Sequence, residues 1–195
     1  VCVAGSRLYV HDSLFDQVVE SIAAVARGMV LGHGLDQSTQ TGPLVSQHHA
    51  AKVAQYIADG KKAGASVVAG GETAGPNGSF ITPTVLTDVT ADMAVVREEI
   101  FGPVVVAQRY SDLDEVVRAG NDSAYGLAAS IWTESLSSAH RLAKRLRAGT
   151  VWINTHSMYD AALPIGGMKQ SGWGRDSGVG ALDNYLETKT VCAVV

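Results

Sequence analysis

TVLTDVTADMAVVREEIFGPVVVA, residues 84–107, holds two short apolar runs, 84–86 and 104–107, on either side of a short helical stretch that ends in two carboxylates. Neither run alternates apolar with polar. A strand with one face in water alternates, whereas a strand covered on both faces is apolar throughout. Outward from this stretch, similar β-type runs recur at 7–10, 66–69, 128–132 and 150–154. Helical periodicity fills the gaps. Over 14–30, Leu14, Phe15, Val18, Val19, Ile22, Val25, Ala26 and Met29 recur at steps of three and four, with Asp12 or Ser13 as cap and Gly32 as terminator. A second helix is predicted over 47–63, capped by Ser46, closed by Gly64 and turning Ala50, Val53, Ala54 and Ile57 inward. Shorter ones are predicted over 113–119 and 136–147, the latter with Leu136, Ala139, Leu142, Ala143 and Leu146 on one face and Gly149 beyond its end. Helices alternating with doubly buried strands define an α/β domain with a central sheet covered on both faces.

The 195 residues can bury one core, and a hydrophobic share of 46% against 17% charged excludes a disordered chain. A net charge of −4 argues against nucleic acid or an anionic membrane as partner. The basic run Arg141, Lys144, Arg145 and Arg147 sits in the last turns of a predicted helix, where it suits the negative end of the dipole. No apolar stretch approaches the roughly 18 residues of a spanning helix, and no signal-peptide pattern is present, so a cytoplasmic protein with no membrane partner is expected. Cys2 and Cys192 lie at opposite ends without metal-ligand spacing, and no metal site is expected from these or from the six histidines. The opening Val1-Cys2-Val3-Ala4, apolar and without methionine, reads as a piece of something longer.

Gly70 to Gly78 is rich in turn formers and is expected to be an exposed loop joining two strands. From Ile165 to Gly180, six glycines suit a loop passing close to other backbone or a ligand. A short helix near 181–186 then leads to an apolar, alternating strand over 188–195, whose free edge invites another chain. Residues 1–172 form the expected cysteine-bearing domain and 173–195 an oligomerisation tail.

Small residues crowd Cys2 in Cys2-Val3-Ala4-Gly5-Ser6-Arg7, which lets backbone amides approach whatever is bonded to the sulfur. By itself such a thiol reads as a packed core residue. In Glu98-Glu99-Ile100-Phe101-Gly102-Pro103, the carboxylates fit either a solvated helix end or a binding turn, and Phe101 either a core plug or a ligand contact. Asn154 ends a predicted strand, where α/β sheets place ligand-facing residues, though its amide could equally satisfy loop backbone.

Taken in order, Cys2 to Arg7, Thr41-Gly42-Pro43, Glu98 to Pro103, Tyr125-Gly126-Leu127-Ala128, Ala148-Gly149-Thr150-Val151-Trp152-Ile153-Asn154 and Gly166-Gly167-Met168-Lys169-Gln170-Ser171-Gly172 resemble successive blocks of the aldehyde dehydrogenase superfamily. The resemblance runs through essentially the whole chain. It implies an open, twisted, mostly parallel sheet with helices on both faces and a C-terminal tail strand. It implies NAD(P)-dependent oxidation of a small apolar aldehyde to a carboxylic acid. Cys2 would attack the carbonyl, the thiohemiacetal would lose hydride to the nicotinamide of NAD or NADP, and water would cleave the thioester. Glu99 would bind the nicotinamide ribose, and Phe101 would pack near the nicotinamide. Asn154, with Gly149 to Ile153, would support the cysteine loop. Val1, Val3, Ser157, Tyr159 and Ile165 would line the aldehyde tunnel, and the tail would make a homodimer or homotetramer.

The chain departs from the family pattern in lacking the general-base glutamate, the asparagine of the oxyanion hole and the dinucleotide-binding half, so alone it is expected to be inactive. Asp176 stands where many members have glutamate, and Ile165 replaces a frequent aromatic. Two alternatives to hydrolytic oxidation remain at this level: coenzyme A as acyl acceptor, and a non-catalytic oligomerisation or scaffold domain.

Overall fold

In the computed structural model, which describes residues 1–75 and 78–195, the chain begins β1 (Arg7–His11), a 3-10 turn (Asp12–Leu14), α1 (Phe15–Gly28), α2 (Gln47–Lys62) and β2 (Ser66–Ala69). It continues through β3 (Thr73–Ala74), β4 (Phe80–Ile81), β5 (Thr84–Thr87), α3 (Ala94–Arg97), β6 (Val104–Tyr110) and α4 (Leu113–Asn121). Then come β7 (Tyr125–Gly126), β8 (Ala128–Ile131), α5 (Leu136–Arg145), β9 (Thr150–Ile153), β10 (Met168–Lys169) and a 3-10 helix (Val179–Asn184). Two compact units result, Val1–Ala119 and Gly120–Val195.

The first unit is organised by a sheet in the order β1-β6-β5-β2, parallel at β1/β6 and β6/β5 and antiparallel at β5/β2. Its apolar strands have the expected cause. Adjacent residues point to opposite faces, so Val85 and Ala107 pack with Phe15, Val19, Ala23 and Ala26 of α1. Their neighbours Leu86 and Val106 pack with Ala50, Val53 and Ile57 of α2 and with Val95 and Val96 of α3. Leu86 is fully buried, a gain of about 1.5–3 kcal/mol for a side chain of this size. The Ser46 hydroxyl accepts from the His49 amide to cap α2, and Gly64 closes it with φ +111°, as predicted.

Several sequence expectations require correction. Neither Asp12 nor Ser13 caps α1: the His11 ring accepts from the Ser13 amide, and α1 starts at Phe15 without a side-chain cap. The helix ends at Gly28, before Gly32. Its buried stripe is Phe15, Val19, Ala23 and Ala26, while Leu14, Val25 and Met29 are exposed, because these fall to the sides of a single 3.6-residue seam. Leu136 of α5 is likewise exposed. The loop expected over 70–78 contains the β3 strand, which pairs with β4 as a short hairpin; Pro76 and Asn77 lie outside the described residues.

In the second unit β8 and β9 pair in parallel, and β7 pairs antiparallel with β10. The glycine-rich segments do pass close to backbone. A Cβ on Gly149 would overlap the Gly166 carbonyl, and one on Gly167 would meet the Ser171 carbonyl. The strand expected over 188–195 is not formed: residues 186–195 belong to no helix or strand, since a strand needs a partner for its ladder. Among the described residues no helix is long and apolar enough to cross a membrane.

Candidate functional site

The parallel pairing of β1 with β6 brings two predicted site segments to one end of the sheet. Arg7 stands opposite Val106; Cys2 lies five residues before the first and Phe101 five before the second. The Ala4 amide donates to the Val1 carbonyl at 3.1 Å, closing a turn over Cys2 and Val3, and the Ser6 amide donates to Ala4 at 2.8 Å. The Val106 amide donates to Ser6 at 2.9 Å and so extends the β1/β6 ladder into the cysteine segment. Cys2 is a free, exposed thiol, Val1 is exposed and Val3 half-buried.

The Glu98–Pro103 turn is seated on α2. Ile100 is buried in the core, so its neighbours Glu99 and Phe101 are left at the surface, Phe101 with 49% of its area exposed. Ile100, not Phe101, is therefore the plug. Phe101 has φ +55°, a left-handed conformation uncommon for a bulky residue and sustained only where surroundings impose it. The restraints are visible. His49 Nε2 donates to the Phe101 carbonyl at 2.8 Å, and the two rings meet edge to face at 6.3 Å. The Tyr56 hydroxyl donates to Glu98 Oε2 at 2.6 Å. A Cβ on Gly102 would lie 2.8 Å from both methyls of Val53, so only glycine lets the backbone settle this close.

In the second unit, Asn154 ends β9 with φ +53°. Its Oδ1 accepts from the Thr133 amide at 2.8 Å and its Nδ2 donates to the Thr133 carbonyl at 2.9 Å, tying together the ends of β8 and β9. Trp152 organises the loop that follows. Its Nε1 donates to the Met158 carbonyl at 2.8 Å, and His156 and Tyr159 stack edge-on against its ring. Ser157, with φ +56°, and Tyr159 are exposed on that loop. Ile165 exchanges two 2.8 Å backbone bonds with Asp176 in an isolated antiparallel bridge. Lys169 is engaged internally, its Nζ donating to the Asn121 and Ser123 carbonyls. Among the described residues no group of three or more His, Cys, Asp or Glu side chains is placed to hold a metal ion.

A sequence model of the aldehyde dehydrogenase family matches residues 1–191. The chain belongs to the aldehyde dehydrogenase family. A mitochondrial aldehyde dehydrogenase of Leishmania tarentolae is 47% identical over 98% of this chain and 38% of its own length. A phenylacetaldehyde dehydrogenase of Pseudomonas fluorescens is 45% identical over the same shares. Among solved structures, an aldehyde dehydrogenase of Bacillus cereus in complex with NAD+ superposes with a TM-score of 0.95 at 50% identity, over 98% of this chain and 39% of that one. The chain thus spans about two fifths of the length of these relatives.

Within this aldehyde dehydrogenase chain, the first unit unites Val1, Cys2, Val3, Glu99 and Phe101 on loops at one end of a single sheet, and the second carries Asn154, Ser157, Tyr159 and Ile165. Sequence reasoning missed His49 and Tyr56. The available signal was their spacing: with Val53 they fall at i, i+4 and i+7, so two polar rings share the inward face of a helix.

Proposed function

We propose that this chain is the cysteine-bearing part of an enzyme that oxidises a small apolar aldehyde to a carboxylic acid with NAD or NADP, with Cys2 as nucleophile. The observation that supports this most is the register of β1 on β6, which sets the Cys2 turn and the Glu99–Phe101 turn at the same end of the sheet. The Cys2 thiolate adds to the aldehyde carbonyl to give a thiohemiacetal, with the Cys2 amide as one donor to the oxyanion. NAD or NADP, when bound, would supply the hydride acceptor for this oxidation; Cys2 would hold the resulting acyl group as a thioester until water cleaves it. An exposed Glu99 carboxylate on a braced turn fits a pair of ribose hydroxyls, which it would accept as hydrogen bonds. The Phe101 ring, held beside it, would limit where the nicotinamide lies.

Val1 and Val3 in the first unit, and Ser157, Tyr159 and Ile165 in the second, are the proposed aldehyde-facing residues. Asn154 is proposed as structural support. Residues 1–172 would form the catalytic domain and 173–195 the tail, whose exposed Val191 and Val194 would pair with a second copy in a homodimer or homotetramer. The NAD+ complex of the Bacillus cereus relative and the span of two fifths both favour a longer parent that supplies the general base, the oxyanion asparagine and the dinucleotide site. The 195 residues alone would not turn over, and a cytoplasmic location is proposed.

The test is aldehyde-dependent NAD(P)+ reduction by the longer polypeptide carrying these residues. Cys2→Ser should reduce the rate roughly 1000-fold or more, and undiminished turnover would sink the assignment. Product analysis with and without coenzyme A identifies the acyl acceptor.

A further inference from the structure

His49 and Tyr56 touch neither Cys2 nor Glu99 by any bond described above, yet both terminate on the backbone or side chains that flank Glu99. His49 holds the carbonyl of Phe101, two residues after it, and Tyr56 holds the carboxylate of Glu98, immediately before it. Val53, between them on the same helix face, abuts Gly102, and Ile100 is buried in the same core. The turn is therefore held at four points on either side of Glu99, namely Glu98, Ile100, Phe101 and Gly102, and Glu99 itself is exposed.

We infer that His49 and Tyr56 are positioning residues that hold the Glu98–Gly102 turn with Phe101 in its left-handed conformation, so that Glu99 and Phe101 meet the nicotinamide-ribose portion of NAD(P). This rests on the functional reading above. The physical reason is that φ +55° at a phenylalanine is disfavoured in isolation. Without the carbonyl bond and the Glu98 anchor the turn would relax toward ordinary backbone. Cofactor binding would then have to restore it, and affinity falls by the fraction of molecules in the competent state.

The distinguishing prediction is a loss of cofactor affinity that spares the thiol. In the longer polypeptide, His49→Ala should weaken NAD+ binding by about tenfold in calorimetric titration, and Tyr56→Phe by about threefold or more, as expected for loss of one hydrogen bond each. His49→Gln, whose amide can still donate to the Phe101 carbonyl, should stay within about twofold of the unaltered protein. The rate of iodoacetamide labelling of Cys2 and the KM for aldehyde should be unchanged in all three. If His49→Ala does not fold, Tyr56→Phe and the glutamine variant decide. NAD+ affinity unchanged in Tyr56→Phe, or glutamine failing to restore affinity, overturns the inference while leaving the enzyme assignment intact. An unaltered protein that binds no NAD+ overturns both.

Discussion

Replacing Gly102 by alanine tests whether the turn is pressed against α2 as tightly as the geometry requires. The new Cβ would lie 2.8 Å from both Val53 methyls, against the roughly 3.5–4.0 Å of a relaxed carbon contact, so about 1 Å of separation has to be found. Gly102 is not left-handed, which leaves steric overlap as the cause of destabilisation. Val53 is fully buried among Ala50, Ile57 and Ile100 and has no solvent into which to retreat. Overpacking of this kind costs about 1–3 kcal/mol, and we take about 2. Val53→Ala alone removes two methyls worth about 0.8 kcal/mol each plus a cavity term, again about 2 kcal/mol. The two changes answer one another, since the methyls that clash are the ones removed. The double variant should therefore be destabilised by about 2–3 kcal/mol instead of about 4, a coupling of at least about 1 kcal/mol. All three tryptophans, Trp132, Trp152 and Trp173, lie in the second unit, so tryptophan fluorescence would watch the wrong part of the molecule. Hydrogen exchange of the α2 amides, residues 47–62, reads the affected region directly. Additivity within about 0.5 kcal/mol, or an unperturbed Gly102→Ala variant, would refute the packing argument.

Two further predictions concern the rest of the chain. Gly149→Ala drives a Cβ into the Gly166 carbonyl, where neither partner has a rotamer to change, and should destabilise the second unit by about 3 kcal/mol or more by urea unfolding followed through Trp152, whereas Gly5→Ala, in open space, should be silent. Asp59 accepts hydrogen bonds from Gln55 and Lys62, in that order of effect, and these hold its carboxyl below the ordinary aspartate value. Its contribution to the last turn of α2 is thus present above the unfolded pKa and is lost as pH falls through the lower folded one; carbon-13 titration should show the depressed midpoint, and Gln55→Ala should raise it.

Strands buried on both faces are legible from composition: the apolar run 66–69 coincides with β2, and the runs from 84 and 104 start with β5 and β6, because doubly covered strands admit few polar residues. Two-residue ladders such as β3/β4 and β7/β10 are too short for any period to show. The α1 stripe is narrower than its apolar residues suggest, since a count of apolar residues cannot tell a seam from its margins; small Ala23 is fully buried while the larger Val25 is exposed. The alternating apolar pattern over 188–195 is accompanied by no strand in the structure. At the site, Cys2 carries no local sign of chemistry, and its proposed role rests on the blocks that follow it. That the Glu98–Pro103 turn is braced by His49 and Tyr56 depends on contacts across 42 and 52 residues, which no local pattern encodes.

The central claim is that Cys2 carries the acyl group during aldehyde oxidation. The most direct measurement is to mix the longer enzyme with NAD(P)+ and an aldehyde, quench in acid within the first turnover, digest, and locate the added mass by tandem mass spectrometry. The account predicts an acyl thioester on the peptide containing Cys2, absent without cofactor and absent in Cys2→Ser. Product formation with that peptide unmodified, or with the acyl group on Cys192 or any other residue, would contradict it.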